Sequence, residues 1–101
     1  MIYQVTGTGL QAAPITTTIL PDSGTALADN TIYAVAVAVR TYTFTPPASG
    51  WAHGTFTTAS SSVSVSFSGT FMSEAPSIEA SKTYEFDVYN GVWAVQEVVS
   101  A

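Results

Sequence analysis

Two stretches of this chain alternate between apolar and polar residues. In Ser62-Val63-Ser64-Val65-Ser66-Phe67-Ser68, serine takes every second place; in Thr83-Tyr84-Glu85-Phe86-Asp87-Val88-Tyr89, Tyr, Phe and Val alternate with Thr and carboxylates. Successive side chains of a strand point to opposite faces, whereas a helix repeats every 3.6 residues. Period two therefore commits both runs to half-buried strands. No segment shows sustained helical periodicity, and Pro76–Glu79 offers one helical turn at most.

Further strands fit between the turn signals. Ile2–Thr6 suits a short strand, and the run from Ile15 to Leu20, β-branched as far as Ile19, suits a second. Pro21-Asp22-Ser23-Gly24 is a turn, because Pro presets φ and Gly accepts the left-handed corner; Asp29-Asn30 is another. Ile32–Phe44 is the longest extended candidate. Its first half is apolar on both faces, as in a covered central strand. Near Arg40 the large apolar residues change parity, which a bulge or bend would accommodate. Pro46-Pro47 ends that strand. Thr55–Thr58, Ser62–Phe67 and Thr70–Met72 follow, and Glu74–Ser77 is a loop. Asn90-Gly91 joins Tyr84–Tyr89 to Val92–Val99 through a type I′ turn, whose two central residues need positive φ.

About seven strands with frequent turns predict an all-β fold, an antiparallel β-sandwich or jelly-roll-like barrel. Its expected core is Val63, Val65, Phe67, Tyr84, Phe86, Val88, Val95 and part of Ile32–Val39. At 101 residues the chain makes one compact domain. Residues 1–29 form a strand-and-turn segment that either adds edge strands or serves as an attachment arm, and residues 30–101 form the β module.

Charge is scarce. Asp, Glu, Lys and Arg make up 9% of the chain, against about 25% in ordinary soluble domains. With only Arg40 and Lys82 as cations and a net charge of −5, nothing neutralises phosphates or draws the chain to an anionic bilayer, so neither nucleic acid nor membrane is an expected partner. The start of the chain has no basic segment followed by an apolar stretch and does not read as a signal peptide. The absence of cysteine removes disulfides and thiolate metal sites. A hydroxyl-rich surface suits either a monomer or a protomer covered by neighbours. The row Ala34, Ala36, Ala38 would let another layer or subunit approach closely.

No catalytic, cofactor or metal constellation emerges. His53 is the only histidine and sits in Gly50-Trp51-Ala52-His53-Gly54, read as a loop entering a strand. Glu85 and Asp87 share a strand face, with Glu97 a candidate to oppose them across the hairpin. Alternation with core aromatics makes this an ordinary solvated face. Trp51, Tyr89 and Trp93, with Tyr42, leave three readings open: capping of the core, a protein interface in which His53 also takes part, or stacking on a sugar ring. The Pro/Gly loop around Trp51 and the tight turn before Trp93 favour exposure of both, while the tendency of Trp and Tyr to close the ends of a small core or to anchor interfaces argues against it.

From Asn30 onward the order of features resembles the small β-modules of tailed-bacteriophage virion proteins, such as head fibres, capsid decoration proteins and tail-fibre or baseplate tips. The residues that carry the resemblance are Asn30-Thr31-Ile32-Tyr33, Pro46-Pro47 with Gly50, Gly54-Thr55-Phe56-Thr57-Thr58, and the ending Lys82-Thr83-Tyr84-Glu85-Phe86-Asp87-Val88-Tyr89-Asn90-Gly91-Val92. The resemblance spans residues 30–99. It implies a non-enzymatic virion component, assembled in the host cytoplasm as a homo-oligomer, commonly a trimer, with other virion proteins as partners and without a cofactor. The rival expectation is a carbohydrate-binding or adhesin-type β-sandwich that holds host-surface glycans on its exposed aromatics.

Overall fold

The computed structural model describes residues 3–6 and 9–99, with side chains from residue 13 onward. The predicted start of the first strand at Ile2 lies outside the described residues, as do Gly7 and residues 100–101 of the expected module. Every described element is a strand. β1 (Tyr3–Thr6) and β2 (Gly9–Ala12) pair antiparallel with each other.

The next strands coil. β3 (Ile15–Thr17), β4 (Thr31–Ala34) and β6 (Trp51–Thr57) lie side by side and parallel, Ile15 opposite Thr31 and Thr31 opposite Ala52. On the other side β5 (Thr41–Phe44) and β7 (Ser64–Phe67) are parallel, Thr41 opposite Ser64. The first coil reaches that side as well: the Gly24 and Leu27 amides donate to the carbonyls of Thr43 and Thr45. A third line of contacts runs along the corners. The Ala36 amide donates to the Thr18 carbonyl, the Val39 amide to that of Thr57, and the Ala59 amide to that of Val39. Partners in these parallel pairs lie about 16 to 23 residues apart along the chain, one coil each. The result is a short β-solenoid of about three turns.

The far end of the coil is closed differently. β9 (Thr83–Tyr89) pairs antiparallel with β6, β10 (Val92–Glu97) pairs antiparallel with β9, and β8 (Thr70–Phe71) pairs parallel with β10. The six-stranded sheet therefore runs β3-β4-β6-β9-β10-β8.

The fold is all-β, as expected, but in place of an antiparallel sandwich or jelly-roll barrel of about seven strands the described residues form ten strands with parallel coils. The physical reason is what lies between paired strands. A tight reversal such as Asn90-Gly91 returns the chain antiparallel. Between β4 and β6 the chain instead crosses to the opposite side, runs along β5 and comes back in its original direction. Ile32–Phe44 is correspondingly not one central strand. It leaves the first sheet after Ala34, and it enters the second at Thr41. The change of parity at Arg40 marks this corner between sheets rather than a bulge. Ala34, Ala36, Val37 and Ala38 are exposed instead of covered.

The two sides enclose an aromatic core. Phe44 lies at its centre, with ring centroids of Phe67 at 4.9 Å, Phe56 at 5.0 Å, Phe86 at 5.2 Å and Trp93 at 6.3 Å. Tyr84, Phe86 and Val88 are buried, as their alternation requires. Val65, Phe67 and Val95 pack against the core from partly buried positions, and Val63 is half-buried. Polar tips of the buried aromatics hold the coils' loops. The Tyr42 hydroxyl donates to the Pro21 carbonyl at 2.6 Å, and the Tyr33 hydroxyl accepts from the Ala28 amide at 2.9 Å. The Tyr84 hydroxyl accepts from the Glu79 amide at 2.8 Å. One glycine is dictated by this packing: a Cβ on Gly54 would stand 2.5 Å from the Tyr33 carbonyl oxygen and 2.8 Å from the Phe86 ring.

Candidate functional site

The inward residues of β6, β9 and β10 build the core, so the alternate residues make one outer sheet face. The hairpin sets their alignment. Asn90 and Gly91 have φ of 48° and 79°, the two positive values of a type I′ turn. That turn places Val92 opposite Tyr89, Ala94 opposite Asp87 and Gln96 opposite Glu85. Pairing of β6 with β9 then sets Trp51 beside Tyr89 and His53 beside Asp87.

Three sequence-predicted residues thus meet on one surface. Tyr89 is 64% exposed, Trp51 is half-buried, and His53 Nδ1 lies 2.6 Å from Asp87 Oδ1. The Trp51 amide donates to Asp29 Oδ1 at 2.9 Å, which ties the start of β6 to the preceding corner. The loop expected at Gly50–Gly54 is strand from Trp51, so His53 stands mid-strand in a fixed register.

Trp93 does not join them. It is fully buried, and its Nε1 donates to the Ser68 carbonyl at 2.7 Å. Proximity to the turn suggested exposure, but Trp93 shares its parity with Val95 and points inward. Glu97 also faces elsewhere: it opposes Tyr84, and its carboxylate meets Lys82 at 3.3 Å. Hydrogen bonds from Lys82 to Glu79 and Glu97 raise the pKa of its ammonium. The residue opposite Glu85 is Gln96, whose Nε2 donates to Glu85 Oε1 at 3.2 Å.

A trough runs over β9 and β10 in two adjoining halves. One, of about 240 Å3, is walled by Trp51, Met72, Tyr89 and Val92. The other, of about 220 Å3, is walled by Ser73, Glu85 and Gln96. Met72, Asp87 and Ala94 line both halves. Met72, Ser73, Ala94 and Gln96 escaped sequence reasoning. The hairpin register was sufficient to find Ala94 and Gln96, whereas Met72 and Ser73 arrive through the parallel pairing of β8, which no short motif announces.

A second, separate groove of about 520 Å3 lies between Thr18–Ser23 and the corner Val35–Tyr42. Ile19 and Val37, 75% and 72% exposed, stand at it together with Ala36 and Ala38. Ala34 is exposed on β4, outside this groove's lining, so the three alanines do not form one strand face.

Among the described residues, no three His, Asp or Glu side chains gather in a way that would hold a metal ion. Nor does any helix there have the length and apolarity to cross a membrane. Fold and surface together define an all-β solenoid with an amphiphilic trough and an apolar groove. Comparison with protein-family models, curated proteins and solved structures gave no match.

Proposed function

We propose that this chain is a non-enzymatic structural component of a bacteriophage virion, decorating the capsid or forming part of a fibre, and that it acts by assembling with copies of itself and with other virion proteins. The observation that carries the assembly is the groove between Thr18–Ser23 and Val35–Tyr42. It exposes Ile19 and Val37 beside small alanines, and its charged side chains are Asp22 and Arg40. Exposed aliphatic side chains of this kind gain most from a second protein surface. The neighbouring edge of β3 points the same way. β3 pairs with β4 on one side and has no strand on the other among the described residues. Edges of this kind are normally guarded by charge; here the strand reads Ile-Thr-Thr. Solenoid ends need covering for the same reason.

The resemblance of residues 30–99 to phage β-modules supplies the virion setting and favours a trimer. Sedimentation of the purified chain at micromolar concentration tests the assembly, and mass spectrometry of purified particles tests the setting. A trimer present in virions is the expected result. A chain that stays monomeric at all concentrations and is missing from particles defeats the proposal. The second reading, a glycan-binding or adhesin-type module on this solenoid frame, is favoured by one specific observation, the pairing of Trp51 with Tyr89 on an exposed sheet face.

A further inference from the structure

We infer that the trough over β9 and β10 is a binding site for a neutral pyranose glycan, occupied by two consecutive sugar rings. The inference rests on the second reading above and assigns its site, ligand class and ligand charge.

Three features of the trough select this ligand. The first is its division into unlike halves. A pyranose ring offers a face of C–H groups and a rim of hydroxyls. The half walled by Trp51, Tyr89, Val92 and Met72 offers aromatic and aliphatic surface, and the half at Glu85, Gln96 and Ser73 offers hydrogen-bonding groups. Each half, at 220–240 Å3, is smaller than the roughly 300 Å3 at which pockets for drug-sized ligands begin, and suits one ring. The halves adjoin at Met72, Asp87 and Ala94, which line both, so the rings of one disaccharide can lie in neighbouring halves.

The second feature is preorganisation. Both carboxylates of the trough are held by a neighbour across the sheet, Asp87 Oδ1 by His53 at 2.6 Å and Glu85 Oε1 by Gln96 at 3.2 Å. Among the described residues the second oxygen of each has no partner and is placed to accept from sugar hydroxyls. Acceptors fixed by strand register cost little ordering on binding.

The third is charge. Asp87 and Glu85 line the trough, and no Lys or Arg does. Sialic acids, phosphates and acidic polysaccharides are disfavoured by those carboxylates. A quaternary ammonium, the other ligand drawn to aromatics beside an acid, prefers a cage of ring faces. Here one open trough runs on past the aromatic pair to Gln96 and Ser73, which serve hydroxyls.

Titration of the 15N-labelled protein with neutral disaccharides (cellobiose, lactose, maltose and chitobiose) tests this, with sialyllactose and choline as controls. At least one neutral disaccharide is expected to bind with a Kd of order 1 mM and to shift Trp51, Asp87, Ala94 and Gln96 together. Trp51→Ala and Tyr89→Ala are expected to weaken it tenfold or more, and Asp87→Asn severalfold, with unchanged melting temperatures. The inference is overturned if no neutral disaccharide binds at concentrations well above that Kd. It is equally overturned if the shifts fall outside the trough, or if sialyllactose or choline binds in preference. Running the titration on whatever oligomer the chain forms separates this outcome from the assembly proposal, because the trough and the Ile19–Val37 groove share no residue.

Discussion

Phe86 has no exposed surface, and its ring meets Phe44, Phe56 and Trp93, which belong to three different strands. Truncation leaves a void that these rings cannot refill without losing their own contacts. Phe86→Ala should therefore cost about 3–5 kcal/mol, read as a loss of unfolding free energy in urea. A variant of near wild-type stability would mean that Phe86 is not at the centre of the core. Tyr42 makes a prediction in pH. Burial, then the nearby Tyr33 and Asp22, raise its phenol above the ordinary value of 10.0. Lys82 is raised above 10.5 by its hydrogen bonds to Glu79 and Glu97. A group whose pKa rises on folding stabilises fully below its unfolded pKa and loses that contribution as pH climbs through the folded one. Both groups thus act in the same window, and the melting temperature should decline from about pH 10 upward. Tyr42→Phe should flatten that decline; a variant as steep as the wild type would remove Tyr42 as a cause. Alternation made Tyr84, Phe86 and Val88 legible as core. It held the answer for Trp93 too, through its parity with Val95, but closeness to the turn obscured it.

At the level of elements, the β9–β10 hairpin is the piece that sequence specifies locally. Asn90 and Gly91 occupy the left-handed region at φ 48° and 79°, and six residue pairs follow from that turn. A side chain at Gly91 meets no neighbour, so its penalty comes from backbone conformation alone. Gly91→Ala should cost about 1–2 kcal/mol, and amide exchange should quicken first in β9 and β10. Exchange that instead quickened in β3 and β4, with the hairpin unaffected, would contradict this register. The coils had no comparable local sign. Their ladders join residues as far apart as Thr41 and Ser64 or Thr31 and Ala52, and the sequence carries no repeated motif at that spacing. Turn residues at Gly24 and Asn30 announced corners without telling which way the chain would leave them. The parity change at Arg40 was visible, but a bulge within one sheet and a crossing to another sheet demand the same alternation. Only the partner strands distinguish them. The trough inherits this split: its β6, β9 and β10 residues follow from register, while Met72 and Ser73 depend on β8.

For the whole molecule, the scarcity of charge makes the mode of association testable. Assembly through the Ile19–Val37 groove would bury aliphatic side chains, so it should persist when salt is raised. Association by exposed ion pairs would instead weaken, because the screening length falls to about 3 Å at 1 M. Ile19 and Val37 are mostly exposed in the single chain, so polar replacements there leave its core untouched. The double variant Ile19→Glu/Val37→Glu should sediment as a monomer with a melting temperature close to that of the isolated wild-type protomer. Two carboxylates brought into an apolar contact have no lysine or arginine to meet except Arg40, which already donates to the Ser61 carbonyl. Desolvating such charges without a partner outweighs the area gained elsewhere. A control at Tyr89, on the trough, should leave the oligomer intact. If the double variant still assembles and Tyr89→Ala dissociates it, the copies meet through the outer face of β6, β9 and β10. The trough would then be an interface between protomers rather than a surface left open for sugars.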